Sequence, residues 1–236
     1  MTITSYRLDD LLLFSPEVYF SSIAFYNQSI WPLPLLAIAI SLLFFWLTLK
    51  LDPKKSIVAV FILALGWAWC GAIYHFKFYQ QINWMAYYYG WVFIGQSVLM
   101  MGWLLKTWLT IPKQESASHS ETQIVQNSKW QQTVGKILIG LSVFALPLVG
   151  LIDGPNIKAS LLLGLSPAPT LLATFGLKLI SSKTPWWLLI IPVSFSIVGL
   201  LTSHTIGSVQ VIAYLLCLIS AFMVIGNWIT TKRAKP

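Results

Sequence analysis

Apolar positions along this chain fall into long blocks rather than into the short alternations of soluble strands or the narrow stripes of soluble helices. A helix needs about 20 mainly apolar residues to cross the hydrocarbon core of a bilayer. Seven blocks meet that length, with ends placed to within a few residues: Ile30 to Leu49, Ser56 to Phe76, Trp84 to Leu109, Lys136 to Ile152, Ala159 to Ile180, Trp186 to Ser203, and Ser208 to Ile229. Trp31, Trp84, Trp108, Trp186, Trp187 and Trp228 fall near the block ends, where an amphipathic ring favours the headgroup layer. The pattern predicts an all-α, polytopic integral membrane protein with seven transmembrane helices.

Charge then sets direction. With the N-terminus outside, the inner segments carry Lys50, Lys54, Lys55, Lys106, Lys113, Lys129, Lys136, Lys178, Lys183, Lys232, Arg233 and Lys235, while only Arg7, Lys77 and Lys158 fall outside. Basic residues concentrate on the cytoplasmic side of membrane proteins, so the expected topology is N-out, C-in. The expected organisation is an N-terminal segment 1–28, helices one to three over 29–111, a polar cytoplasmic loop over 112–135, helices four to seven over 136–230, and a basic tail 231–236. The loop, containing QESASHSETQ and QNSKWQQ, is too polar to bury a core of its own. No repeat relates the two halves, which weighs against an inverted-repeat transporter.

Residues 1–28 do not read as a signal peptide, since Asp9 and Asp10 follow Arg7 where a basic n-region belongs. Ser15-Pro16-Glu17 reads as an N-cap, a first-turn proline and a first-turn acid. It opens a short helix expected to lie at the outer interface or to pack over the mouth of the bundle.

Composition agrees with lipid as the principal solvent. Of 236 residues, 57% are hydrophobic and 9% charged, against about 25% charged in ordinary soluble domains. The mean hydropathy is +0.74, which excludes a disordered chain. The net charge of +8 is dispersed between apolar blocks, so it points to membrane orientation and not to nucleic acid. Cys70 and Cys217 lie inside apolar blocks and offer neither a disulfide framework nor metal-ligand spacing. No phosphate loop, zincin motif, nucleophile elbow or dinucleotide fingerprint occurs, so no cofactor and no metal site is expected.

Polar groups at membrane depth are the candidate chemistry. The second block ends GAIYHFKFYQQIN and the third begins WMAYYYGWVFIGQS, which gathers Tyr74, His75, Lys77, Asn83, Tyr87 and Tyr88 at the outer end of one hairpin. Asp153 and His204 are expected on the same side. Such a mouth suits an anion, a metal or a polar headgroup; the plainer reading is a belt of aromatic and basic anchors at helix ends. Mid-depth holds Gln96 but no Asp, Glu, Lys or Arg, so a carboxylate pathway lacks its residues, and the seventh block has no lysine for a Schiff base. Gln96 serves either as glue between helices or as a solute contact. In SLLLGLSPAPTLLATFG, Pro167 and Pro169 near the block centre predict a kinked or interrupted helix, with Ser166 and Thr170 supplying hydroxyls to the freed backbone. Gly66, Gly71, Gly90, Gly95 and Gly102 are expected to permit close helix approach.

The stretches GAIYHFKFYQQIN and GLSPAPTLLATFGL resemble a family of bacterial multi-pass membrane proteins of unknown function. Tyr74, His75, Phe76, Phe78, Ile82 and Asn83 match its first motif. Pro167, Pro169, Thr170, Phe175 and Gly176 match its second, with Ala168 in place of an expected cysteine, which argues against an essential thiol there. The resemblance covers about residues 30 to 230 and implies a bacterial inner-membrane location with no assigned activity.

Together these readings favour binding or transport of a small polar or ionic solute, with Tyr74, His75, Lys77, Asn83, Tyr87, Gln96, Asp153, Ser166, Thr170 and His204 as candidate contacts. The bilayer is the one partner expected, and oligomeric state is not legible. The alternatives are a non-transporting accessory or assembly protein, favoured by a filled and dry interior, and an intramembrane enzyme using His75 as acid or base. An enzyme is the less favoured class.

Overall fold

The computed structural model describes residues 14–49, 53–115, 127–181 and 184–233, and the described residues are helical and irregular with no strand. The N-terminal helix α1 (Pro16–Ser29) starts as its sequence dictates. Ser15 adopts an extended backbone and its hydroxyl accepts from the Val18 N–H at 3.4 Å, with Pro16 and Glu17 in the first turn. The Ser15 hydroxyl and the local backbone N–H hold the exposed Glu17 carboxyl below the ordinary carboxylate range. After a short elbow the chain turns by 94° into α2 (Leu33–Leu49), so α1 lies across the end of the bundle. It buries Tyr19, Phe20, Ile23, Tyr26 and Asn27 there.

A long hairpin follows: α3 (Pro53–Trp69), continued by a π-helical stretch over Cys70–Phe78, and α4 (Ala86–Glu115). Gly71 and Gly90 bring the two limbs together. A Cβ on Gly71 would stand 2.7 Å from the Gly90 carbonyl oxygen, and one on Gly90 would overlap the Phe76 ring. Gly95 and Gly102, expected to act in the same way, face no atom within 4 Å of a Cβ position.

The second half opens with α5 (Lys129–Gly140), whose start lies inside the stretch expected as loop. A reciprocal pair, Ser128 hydroxyl to the Gln131 N–H and Gln131 side chain to the Ser128 N–H, satisfies two donors at this terminus. The helix widens to π geometry over Leu141–Ala145 and passes through Leu146–Leu148 into the short α6 (Val149–Ile152). Pro147 explains the change of pitch, because it cannot donate to the preceding turn. The remaining helices are α7 (Pro167–Ile180), α8 (Ile190–Thr205, entered through a turn at Trp186–Leu189) and α9 (Gln210–Arg233).

The seven predicted blocks correspond to α2, α3 with its continuation, α4, α5 through α6, α7, α8 and α9. Among the described residues, four helical segments are long and apolar enough to cross a membrane: Lys55–Gln81, Ala86–Leu109, Lys129–Ile152 and Trp186–Thr205. A fifth is added if α1 and α2 count as one bent span. The fifth block departs most from a continuous span. Pro167 and Pro169 do not kink a helix at its centre; they sit in the first turn of α7, where a missing N–H costs nothing. Residues 160–166 before it are irregular, and almost the whole run from Ala159 to Ile180 is buried.

Unlike those of a water-soluble bundle, the outer faces of α2 and α9 are apolar as well as the inner ones. On α2 the buried positions include Ser41 and Thr48, while Leu35, Leu36, Ile38, Leu42, Leu43 and Trp46 are exposed. On α9 the inner face carries Gln210, Tyr214, Cys217 and Ser220, and the outer face Ile212, Leu215, Ile219, Phe222 and Ile225.

The irregular 160–166 segment is fixed from several sides. Asn27 Nδ2 donates to the carbonyls of Lys158 at 2.6 Å and Ser160 at 2.9 Å, and the Tyr26 hydroxyl donates to the Leu165 carbonyl at 3.0 Å. Leaving a buried acceptor without its donor costs about 1–3 kcal/mol. Asn27→Leu is therefore expected to lower the apparent melting temperature and to speed hydrogen exchange at Leu161–Gly164, with little change in α4; exchange unchanged across that segment would contradict this role.

Candidate functional site

His75 is the centre of the most unusual environment in the bundle. The π-helical continuation of α3 turns its ring inward, where it is 1% exposed. Aromatic rings enclose it: Phe93 at 4.7 Å between centroids, Tyr74 at 5.1 Å, Phe195 at 5.6 Å, Tyr79 at 5.7 Å and Tyr89 at 5.9 Å. Among the described residues, neither ring nitrogen has a hydrogen-bond partner. A buried polar group without a partner costs free energy, so each such group calls for an explanation.

The explanation offered by the geometry is a cavity of about 30 Å³ lined by the rings of Tyr19, Tyr74, His75, Tyr79, Tyr89, Phe195 and Tyr214, and by Pro167, Val198, Gly199, Thr202 and Ser203. That volume holds about two water-sized centres. Its walls come from α1, the α3 continuation, α4, α7, α8 and α9, so nearly the whole fold converges on it. Two further contacts shape it. Asn83 Nδ2 donates to the Tyr79 hydroxyl at 3.2 Å while Asn83 Oδ1 accepts from the Met85 N–H at 3.0 Å. The Tyr214 ring lies over Gly199, where any side chain would collide with it. A neutral imidazole offers one donor and one acceptor, and among the described residues no carboxylate, ammonium or guanidinium lines the cavity. The arrangement is suited to an uncharged guest that both gives and takes hydrogen bonds. Among the described residues, no group of three His, Cys, Asp or Glu is placed to hold a metal ion.

The ten candidate contacts separate into five environments. Tyr74 and His75 line the cavity, and Asn83 positions Tyr79 from behind it. Lys77, Tyr87 and His204 are exposed and do not line it, so the expected outer mouth is not a single place. Asp153 is a cap: its carboxylate accepts from the Ser208 hydroxyl and the Val209 N–H just before α9. Ser166 and Thr170 serve the broken segment. The Ser166 hydroxyl accepts from the Leu162 N–H at 3.3 Å, and Thr170 Oγ1 accepts from the Gly164 N–H at 2.9 Å. Gln96 lies apart, fully buried, donating from Nε2 to the Leu188 carbonyl at 2.9 Å and leaving Oε1 without a partner. It faces a cavity of about 10 Å³ shared with Lys178 and Thr184.

Sequence reasoning missed Tyr19, Tyr79, Tyr89, Phe93, Phe195 and Tyr214. The Tyr89–Phe93 spacing of one helical turn marks a shared face, but nothing in the sequence says which rings from α1, α8 and α9 meet it.

Architecture and site together define an all-helical bundle with apolar outer faces and a small aromatic-walled polar pocket. The chain belongs to a family of unknown function, DUF6064, whose model matches residues 16–235. No curated protein and no solved structure matches the chain.

Because Gly199 seats Tyr214, Gly199→Ala is expected to displace that ring and to destabilise the protein by about 1–3 kcal/mol, the usual cost of overpacking. Gly95→Ala, with open space at its Cβ position, is the matched control, and equal melting temperatures for the two variants would refute the packing role of Gly199.

Proposed function

We propose that the protein is a bacterial inner-membrane protein with seven spans, N-terminus outside and C-terminus inside, that binds a small uncharged polar solute at His75. The membrane reading is supported by the large apolar side chains on the outer faces of α2 and α9, which suit lipid and not water. The N-terminal helix α1, set at 94° to α2, then rests at the outer end of the bundle. The binding reading is carried by one observation: a buried imidazole with two unpartnered nitrogens, facing a water-sized polar cavity. Ionic solutes are disfavoured because the pocket supplies no compensating charge.

A second reading, a non-transporting component that works through its helix faces, draws on the small volume of the polar cavities at His75 and Gln96, about 30 and 10 Å³. Under that reading the guest at His75 is structural water.

Two measurements test these proposals. Single cysteines at Gln80 and Ser118 are expected to react with an impermeant maleimide from opposite sides, Gln80→Cys from outside; labelling of both from one side would overturn the topology. For binding, nitrogen-15 histidine spectra of the protein in nanodiscs are titrated with methanol, formamide and ammonia, using His75→Phe to assign the His75 signals. Saturable displacement of those signals by one of the three is expected. Displacement by none of them favours the second reading.

A further inference from the structure

We infer that a groove between α2 and α3 holds one acyl chain of an anionic phospholipid from the leaflet on the α1 side, with its phosphate at Lys158. The inference rests on the membrane reading above but concerns a different surface from the His75 pocket. The groove encloses about 270 Å³, far more than either polar cavity. Ala37, Ile40 and Leu43 line it from α2, Phe61 and Leu65 from α3, and Leu163 from the irregular segment forms its floor. Its polar lining is minimal, and the one indole N–H on its wall, from Trp69, is already given to the Tyr26 hydroxyl at 2.7 Å.

Length and charge choose the occupant. From Leu33 to Leu43 the groove follows ten residues of helix, about 15 Å at 1.5 Å per residue. That equals about half of the 30 Å hydrocarbon core, the depth of a single leaflet. At its upper end stand Leu33, Trp69 and Leu165, directly beneath the end of α1, because the Tyr26 hydroxyl binds the Leu165 carbonyl. The next residue, Asn27, holds the Lys158 carbonyl. Lys158 is thereby tied to the same end of α1 that Tyr26 joins to the groove, its exposed ammonium 3.5 Å from Gln28 Oε1. Exposed Gln28, Ser29 and Trp31 complete a rim of headgroup character. A chain lying in the groove covers Gly164, the one residue of the irregular segment that is not buried.

The test uses the full chain in phosphatidylcholine nanodiscs carrying a trace of phosphatidylglycerol with a photoactivatable diazirine in its acyl chain. Mass spectrometry then locates the adducts. Peptides covering Ala37–Leu43 and Phe61–Leu65 are expected to carry more label than the exposed α4 face at Val98–Leu105. Ile40→Trp, which fills the groove, is expected to reduce groove labelling to the α4 level, and Leu43→Trp at the groove's exposed end repeats the test if Ile40→Trp does not fold. Lys158→Gln is expected to lower groove labelling about fivefold, the scale of one lysine at a charged membrane surface. Labelling equal on all exposed faces, labelling untouched by both tryptophans, or crosslinks between two copies through this groove would overturn the proposal. Absence of label from α4 and α9 as well would instead count against the membrane reading.

Discussion

The constraint on which this structure depends is the need to satisfy the backbone of a non-helical segment inside an apolar interior. Residues 160–166 cannot use a helical ladder, and water is not at hand to replace it. Each neighbour therefore contributes a specific group. The α1 helix gives Asn27 and Tyr26, the end of α3 brings the Cys70 thiol to the Gly164 carbonyl at 3.6 Å, and the α7 start gives Ser166 and Thr170. Close approach completes the arrangement. Gly164 adopts φ +81°, a conformation that favours glycine, and a Cβ on Gly66 of α3 would stand 2.8 Å from its Cα. The α1 helix lies across the bundle end because its polar side chains are tied to this segment.

Polar residues in the interior divide by whether they can satisfy themselves. Ser41, Thr174, Ser196 and Ser220 each return a hydrogen bond to the carbonyl one turn earlier, at 2.6–2.7 Å, so their burial asks nothing of a partner helix. Among the described residues, His75, Gln96 and Gln210 each retain at least one unpartnered atom. Local hydrogen bonding thus separates structural polarity from candidate chemistry.

The same distinction marks what could be read in the sequence. Helix positions were legible because apolar block length and the Ser15-Pro16-Glu17 cap are local signals, and the interruption at Pro167 followed from the missing N–H. The side of the interruption was not legible. Proline tolerates the first turn of a helix, and only the partners offered by Asn27 and Tyr26, more than a hundred residues away, make an irregular approach to Pro167 affordable. His75 and Tyr74 stood out as polar groups in an apolar setting. Lys77, Tyr87 and His204 stood out for the same reason but face outward, because a hairpin end fixes depth and not azimuth. Asp153 shared their expected depth, yet its carboxylate is occupied by the start of α9.

The break and the pocket are two consequences of one event. Since α7 begins only at Pro167, its first residue forms part of the wall around His75, and the chain before it runs off toward Asn27. A helix continued toward residue 160 would instead carry side chains along the α7 axis past the Pro167 wall. The irregular segment thereby does more than solve its own hydrogen-bond problem. It ends the central helix level with His75, where Tyr19 from the crossing α1 and Tyr214 from α9 close the space. The pocket that results is small, and the described residues around it are mostly rings, with Thr202 and Ser203 from α8 beside them and no charged side chain among them.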